Sequence, residues 1–178
     1  MRADLRIRAA RTSDVAQIRG LIDAYAPDRR LLSKATVTLY EDIGEFVVAT
    51  IDDQVIGCGA LHVMWEDLAE VRTVAVARDR IRGGVGRAVV EALITRAAAI
   101  GVQRVFCLTF EVDFFRTLGF SEITGTPITA EVYTQLLQSE DEGVAEFLDL
   151  ERVKPNTLGN TRMLLRVPLT SYDEPVNG

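Results

Sequence analysis

Apolar residues along the chain follow two rhythms, one of period two and one near 3.6, and the switches between them predict the elements. Leu5, Ile7 and Ala9 alternate with Arg6 and Arg8, which predicts a strand over 5–9. Thr12-Ser13-Asp14 then supplies helix-start chemistry for a helix carrying Val15, Ile18, Leu21, Ile22 and Tyr25, and Pro27 ends it. A second helix is expected from Ala35 to Ile43, ended by Gly44. Phe46 to Ile51 and Gln54 to Trp65 favour strands, and Asp52-Asp53 between them predicts a hairpin turn.

Ala69 to Val76 reads as a strand with Val71, Thr73 and Ala75 on one face and Glu70, Arg72, Val74 and Val76 on the other. Val85 to Ile100 predicts the best-marked helix, with Val85, Val89, Ala92, Leu93, Arg96 and Ile100 along a mostly apolar stripe and Gly101 as its stop. A strand over Val102 to Thr109, a short helix over Asp113 to Leu118 and a turn at Gly119-Phe120 lead into a further strand. Between Gly125 and Asn160 the rhythm loosens into a helix over Thr129 to Leu137, an acidic patch from Ser139 to Gly143, and an irregular piece holding Pro155 and Gly159. Thr161 to Val167 closes the pattern as a strand. Residues 4–167 thus form one expected domain, without repeats, and 168–178 an expected disordered tail.

Composition narrows the partners. A chain of 178 residues with 48% hydrophobic and 26% charged residues suits a single globular domain with its own core. The net charge of -6 would repel a duplex nucleic acid or an anionic membrane surface, while leaving room for a small anion bound locally. No apolar run reaches the length of a membrane span and the N-terminus lacks the apolar core of a signal peptide, so a cytoplasmic protein is expected. Cys58 in VIGCGAL and Cys107 in RVFCLTF have the surroundings of buried thiols, and neither they nor His62 falls in a metal-ligand spacing, so no metal is expected.

The stretch ARDRIRGGVGRAVVEAL, residues 77–93, sets three glycines among four arginines just before the best helix. A Walker-type loop needs Lys followed by Ser or Thr after its last glycine, and Arg87-Ala88 stand there. A dinucleotide fingerprint needs a third small residue where Val89 stands. What remains is a turn at Gly83, Gly84 and Gly86 whose backbone N–H groups, with that of Val85, could converge on an anion at the helix start, with Arg82 and Arg87 at its rim. A plain glycine turn that starts a helix fits equally well.

In context, VAVARDRIRGGVGRAVVEAL followed by a strand and FFRTLGF resembles the GCN5-related N-acetyltransferase superfamily over most of residues 4–167. The resemblance implies an α/β (α+β) fold with a mixed central sheet of six to seven strands flanked by helices, and acetyl-CoA as co-substrate. In that superfamily the loop wraps the pyrophosphate with the pattern Q/R-x-x-G-x-G/A; Gly84 and Gly86 match, and Ile81 departs from it. Val74, Ala75 and Val76 are implied to offer backbone groups to the pantetheine arm.

Five further segments, LLSKATVTLYEDI, VIGCGALH, AEVRTVAV, FFRTLGF and GNTRMLLRV, are together similar to the acetyltransferase domain of N-acetylglutamate synthases. The resemblance implies a stand-alone short form that transfers acetyl to the α-amino group of L-glutamate by direct attack in a ternary complex, in the first step of arginine biosynthesis, with a homodimer left open. Lys34 stands where the family has an Arg gripping a substrate carboxylate, His62 where members have Lys or Tyr, and Gly159 where an Arg is usual, with Lys154 or Arg162 as replacements. Arg72 joins Lys34, His62 and Arg162 as an expected substrate contact. Glu70 matches the family's general base and Thr161 a Ser proposed to protonate the leaving thiolate; Phe114 and Phe115 occupy a segment where many relatives place a Tyr acid. A carboxylate is needed because the acceptor's ammonium must lose a proton before nitrogen can attack the thioester. The missing Arg at Gly159 and His62 in place of Lys suggest a neutral side-chain end, glutamine as well as glutamate. Acetylation of another amine, such as a protein N-terminus reached through an acidic cleft at Ser139 to Gly143, and non-catalytic acetyl-CoA binding are the alternatives.

Overall fold

The computed structural model describes residues 4–25, 27, 34–150 and 159–168. Residues 169–178 of the expected tail, and Lys154, lie outside them. The elements follow the order β1 (Arg6–Ala9), α1 (Val15–Asp23), α2 (Thr36–Glu41), β2 (Phe46–Ile51), β3 (Gln54–Trp65), β4 (Leu68–Val76), α3 (Val85–Ala99), β5 (Arg104–Thr109), α4 (Val112–Arg116), β6 (Ser121–Glu122), α5 (Ala130–Leu136), α6 (Glu142–Phe147) and β7 (Thr161–Arg166).

Seven strands make one mixed sheet in the order β1-β2-β3-β4-β5-β7-β6, parallel only at the β4/β5 junction. Asp52 and Asp53, at φ of 49° and 62°, form the tight β2/β3 turn that the acidic pair predicts. Asp14 folds back instead of capping α1 directly: its buried carboxylate takes Arg8 at 2.7 and 2.9 Å and the Arg11 N–H at 2.7 Å. The second helix stops at Glu41, short of Gly44, and a 3-10 turn, Ile43–Glu45, carries Glu45 inward.

Helix α3 covers one sheet face and α1 with α2 the other, while α5 and α6 build a separate apolar cluster with Leu68, Phe106 and Leu164. The α3 contact is close because β3 presents glycines: a Cβ at Gly57 would meet Val85 at 2.7 Å, and one at Gly59 would meet Val89 at 2.8 Å. The buried stripe of α3 is Val85, Val89, Val90, Leu93 and Ala97; Ile100, expected in it, is 52% exposed beyond the last turn. Gly101 at φ 89° stops the helix as predicted. Helix α6 falls where only an acidic patch was legible. Among the described residues no helix is long and apolar enough to cross a membrane.

Candidate active site

Between β4 and β5 the sheet comes apart. The strands pair at Leu68, Ala69 and Glu70, and β5 then runs on to Thr109 paired with β7. The cause lies in β4: Thr73 adopts φ of 57°, and Thr73 with Val74 opposes the single Gly59 of β3. This is a β-bulge, which bends the strand and ends regular pairing. It also switches faces. Val71 before the bulge and Val74 and Val76 after it all pack toward α3, whereas Ala75 joins the α1 cluster. Glu70 and Arg72 therefore lie on the opposite face from Val74 and Val76, correcting the shared face that strict alternation predicts.

Past the bulge, the Ala77 N–H donates to Ile56 at 2.8 Å, so alternation turns Ala75 toward β3 and the N–H and C=O of Val76 toward the opened edge. The Tyr25 hydroxyl donates to the Val76 carbonyl at 2.6 Å. The glycine loop ends at the same edge. Arg82 and Gly84, at φ of 76° and 79°, curl the chain into α3, whose first hydrogen bond beyond the cap runs from the Ala88 N–H to Gly84. The N–H groups of Gly84, Val85, Gly86 and Arg87 thus have no intrahelical partner and face outward at the positive end of the helix. A Cβ on Gly86 would make ordinary contact with Val76 at 3.5 Å and Phe114 at 3.6 Å, and one on Gly83 would stand 3.2 Å from the Arg80 carbonyl. Arg82 is exposed, and Arg87 donates to Glu91 at 3.1 Å and Thr117 at 2.8 Å. An open strand edge leading to a helix N-terminus fits an extended amide chain that ends in a pyrophosphate.

On the other face, a cavity of about 460 Å³ is lined by Lys34, Thr38, Asp42, Glu70, Arg72, Asp141, Gly143, Glu146 and Asn160, among others. Arg72 is its hub. One guanidinium nitrogen donates to both Asp141 oxygens at 3.0 and 2.9 Å and lies 3.7 Å from Glu70; the other donates to Glu45 at 3.2 Å. His62, opposite Glu70 in the β3/β4 register, donates from Nδ1 to Glu45 at 2.6 Å and holds Nε2 3.6 Å from Asp141. Lys34 donates to Asp42 at 3.3 Å.

Glu70 is 4% exposed, and its Oε2 has no hydrogen-bond partner among the described residues. Burial pushes its carboxyl up to about 7, against the opposing pull of the Arg72 charge. Burial also works to raise Glu45 and Asp141, but His62 and Arg72 outweigh it at Glu45, and Arg72 does so at Asp141, holding both below the usual range. The Glu45 hydrogen bond raises His62. Near neutral pH the arrangement holds one carboxyl poised between protonation states beside others that stay ionised.

The remaining expected residues fall elsewhere. Arg162 stacks over Phe106 at 5.3 Å and donates to the carbonyls of Glu146, Gly125 and Phe147 at 2.9, 3.1 and 2.7 Å, tying the α5/α6 segment to β7. Thr161 pairs with Thr109, and alternation puts its side chain with Met163 on the α3 face, away from Glu70; Asn160 is the residue of that segment lining the cavity. Gly159, where the resemblance implies an Arg, turns at φ 75°, a conformation that favours glycine. Cys58 and Cys107 are buried, and desolvation pushes Cys58 up to about 12, so neither is a ready nucleophile. Sequence reasoning misses Glu45, Asp42 and Glu146, and marks Asp141 and Gly143 only as part of the acidic stretch Ser139 to Gly143. The one available signal was Asp141 placed three residues before Val144, whose N–H it caps at 3.0 Å.

Comparison with known proteins agrees with this geometry. The model of the acetyltransferase (GNAT) family matches residues 16–120. An amino-acid acetyltransferase of Mycobacterium tuberculosis is 56% identical over 162 residues, covering 89% of this chain and 92% of that one. An amino-acid acetyltransferase of Aeromonas salmonicida is 30% identical over 68% of this chain, which spans 28% of that protein. Among solved structures, a Mycobacterium tuberculosis protein in complex with CoA and NLQ superposes with a TM-score of 0.87 at 54% identity, over 92% of this chain and 99% of that one. The N-acetylglutamate synthase of Neisseria gonorrhoeae, complexed with coenzyme A and N-acetyl-glutamate, superposes with a TM-score of 0.75 over 94% of this chain and 36% of that one; at 22% identity this likeness concerns the fold alone. With a split sheet, a glycine loop at the N-terminus of α3 and a family model matching more than half its length, this chain belongs to the acetyltransferase (GNAT) family.

Proposed function

We propose that this chain is an amino-acid N-acetyltransferase of the N-acetylglutamate synthase type, transferring acetyl from acetyl-CoA to the α-amino group of L-glutamate or L-glutamine in the first step of arginine biosynthesis. The observation that carries the reading is Glu70: a buried carboxyl raised to about 7, at the point where β4 and β5 part and at the floor of a cavity of about 460 Å³. Bound acetyl-CoA supplies the activated acetyl thioester. The first-turn amides of α3, from Gly84 to Arg87, suit its pyrophosphate, and the Val76 edge of β4 suits the extended arm and the developing oxyanion.

Glu70 Oε2 takes the proton that the acceptor's ammonium must lose, and its raised pKa sets it close to working pH, where a general base is most effective. Attack is direct, since both cysteines are buried and held protonated. The leaving thiolate takes its proton from Thr161 or solvent; the inward turn of Thr161 favours solvent. Among the described residues the cavity's cations are Arg72 and Lys34, facing Asp42, Glu70, Glu140, Asp141, Glu142 and Glu146. That balance favours an acceptor whose side-chain end is uncharged, hence glutamine over glutamate. On this reading the chain works in the cytoplasm, the compartment expected from its sequence.

A thiol-release screen over the standard amino acids, with Glu70→Gln and Lys34→Ala as controls, tests the reading. Thiol release with glutamine or glutamate, lost in Glu70→Gln, is the expected result. Binding of acetyl-CoA with no release for any amino acid would overturn it.

A further inference from the structure

Arg72 is 12% exposed and its inner nitrogen is filled by the carboxylate of Asp141, which belongs to the segment carrying α6 and not to the sheet. Gly143, two residues on, lies against both Glu70 and Arg72: a Cβ there would overlap Glu70 Oε2 and stand 3.1 Å from the Arg72 nitrogen. Glu70 Oε2 beneath it is buried and has no hydrogen-bond partner among the described residues.

An α-amino acid carries its carboxylate and ammonium on one carbon, and Glu70 and Arg72 offer the complementary pair of charges 3.7 Å apart. The segment now fills both places, with a carboxylate on the cation and a glycine backbone on the anion. We propose that Asp141 holds on Arg72 the seat of the acceptor's α-carboxylate, and that an amino acid binds by displacing Asp141, lifting α6 and uncovering Glu70 Oε2 for its ammonium. This rests on the amino-acid acceptor reading and adds an entry mechanism to it.

The exchange replaces one carboxylate by another at the same guanidinium, so the cation is never left bare, which would be the costly alternative for a buried charge. Asp141 is also the cap of α6, so its release and the lifting of α6 are one movement. Asp141 is therefore a positioning residue. It excludes water and amines without a carboxylate from Glu70, because they bring nothing to replace it on Arg72.

Asp141→Asn tests the proposal, since asparagine caps a helix as well as aspartate while it removes the charge and one of the two oxygens that accept from Arg72. In steady-state acetylation by the full chain, KM for the amino acid falls roughly tenfold, within the usual range of coupling between sites, while KM for acetyl-CoA stays put. The α-carboxamide of the same amino acid, which has no carboxylate to compete with Asp141, shows no such fall. Asp141→Ser, which also keeps the cap, repeats the result. Trp65, the single tryptophan, packs against the cluster containing Val144 and Phe147, so its emission follows α6. It changes when amino acid is added to the wild type and starts from the changed value in Asp141→Asn. An unchanged or raised amino-acid KM in both variants, or an equal gain for the carboxamide, overturns the proposal while leaving the function intact. No turnover of any amino acid by the wild type overturns both.

Discussion

Gly143 of α6 stands over the Glu70 carboxylate, so near that any side chain at 143 would displace one of the two. Glu70 is 4% exposed and burial raises its pKa, and Gly143 lies directly against its carboxylate. Gly143→Ala forces α6 outward, with a stability loss on the order of 1–3 kcal/mol, as for other overpacked sites. It also lets water reach Glu70, so the acidic limb of kcat/KM, which reports the free enzyme, moves to lower pH. A thermal melt and a pH–rate profile together check the two effects; a destabilised variant with an unmoved limb would separate the burial of Glu70 from α6.

Glu70 also predicts an exchange of stability for activity. Its folded pKa, about 7, lies above its ordinary 4.5, so the folded state prefers the protonated carboxyl. The stabilising effect of that preference is complete below pH 4.5 and is lost as pH rises through about 7. The penalty on the ionised form is on the order of 3 kcal/mol. Glu70→Gln removes the ionisation and should melt higher than the wild type above neutrality and alike in acid, while kcat/KM drops by roughly 100-fold or more. Melting curves across pH decide this, and a glutamine variant that is less stable in alkali would refute it.

The sheet and every helix but α6 are legible because each reports itself through local pattern: Asp52-Asp53 needs only turn chemistry, and Gly101 only a positive φ. The site was legible in part. Glu70 and the glycine loop lie on strongly patterned elements, but the bulge at Thr73 leaves no trace in alternation, and it alone sends Glu70 and Val76 to different faces. Asp141 and Gly143 show in the sequence only as part of an acidic patch, because their partners, Arg72 and Glu70, are about 70 residues away along the chain. Arg162 looked like a substrate contact because its charge is visible in the sequence and the backbone carbonyls that take its donors are not.

His62 gives a stability effect of ordinary sign. Its folded pKa is raised above 6.5 by the Glu45 hydrogen bond, so its contribution is present below 6.5 and disappears as pH rises through the raised value. A charge-assisted hydrogen bond of this kind contributes about 1.5–3 kcal/mol. His62→Gln should therefore melt below the wild type at about pH 5.5 and match it near pH 9. Equal losses at both ends would assign the residue to packing instead of charge.

The two glycines of the loop should part company when each becomes alanine. Gly84 sits at φ 79° with open space around it, so its requirement is conformational; alanine there costs about 1–2 kcal/mol locally and turns the first amides of α3 away from the pyrophosphate. Gly86 lies inside α3, and an added methyl makes ordinary contacts with Val76 and Phe114 at 3.5 and 3.6 Å. Gly84→Ala should thus raise KM for acetyl-CoA by about tenfold, the equivalent of 1.4 kcal/mol, and leave KM for the amino acid alone. Gly86→Ala should leave both within about twofold, a difference worth under 0.5 kcal/mol. Parallel titrations of acetyl-CoA at saturating amino acid measure the difference, and equal defects in the two variants would mean that the loop is held by space at α3 and not by the turn at Gly84.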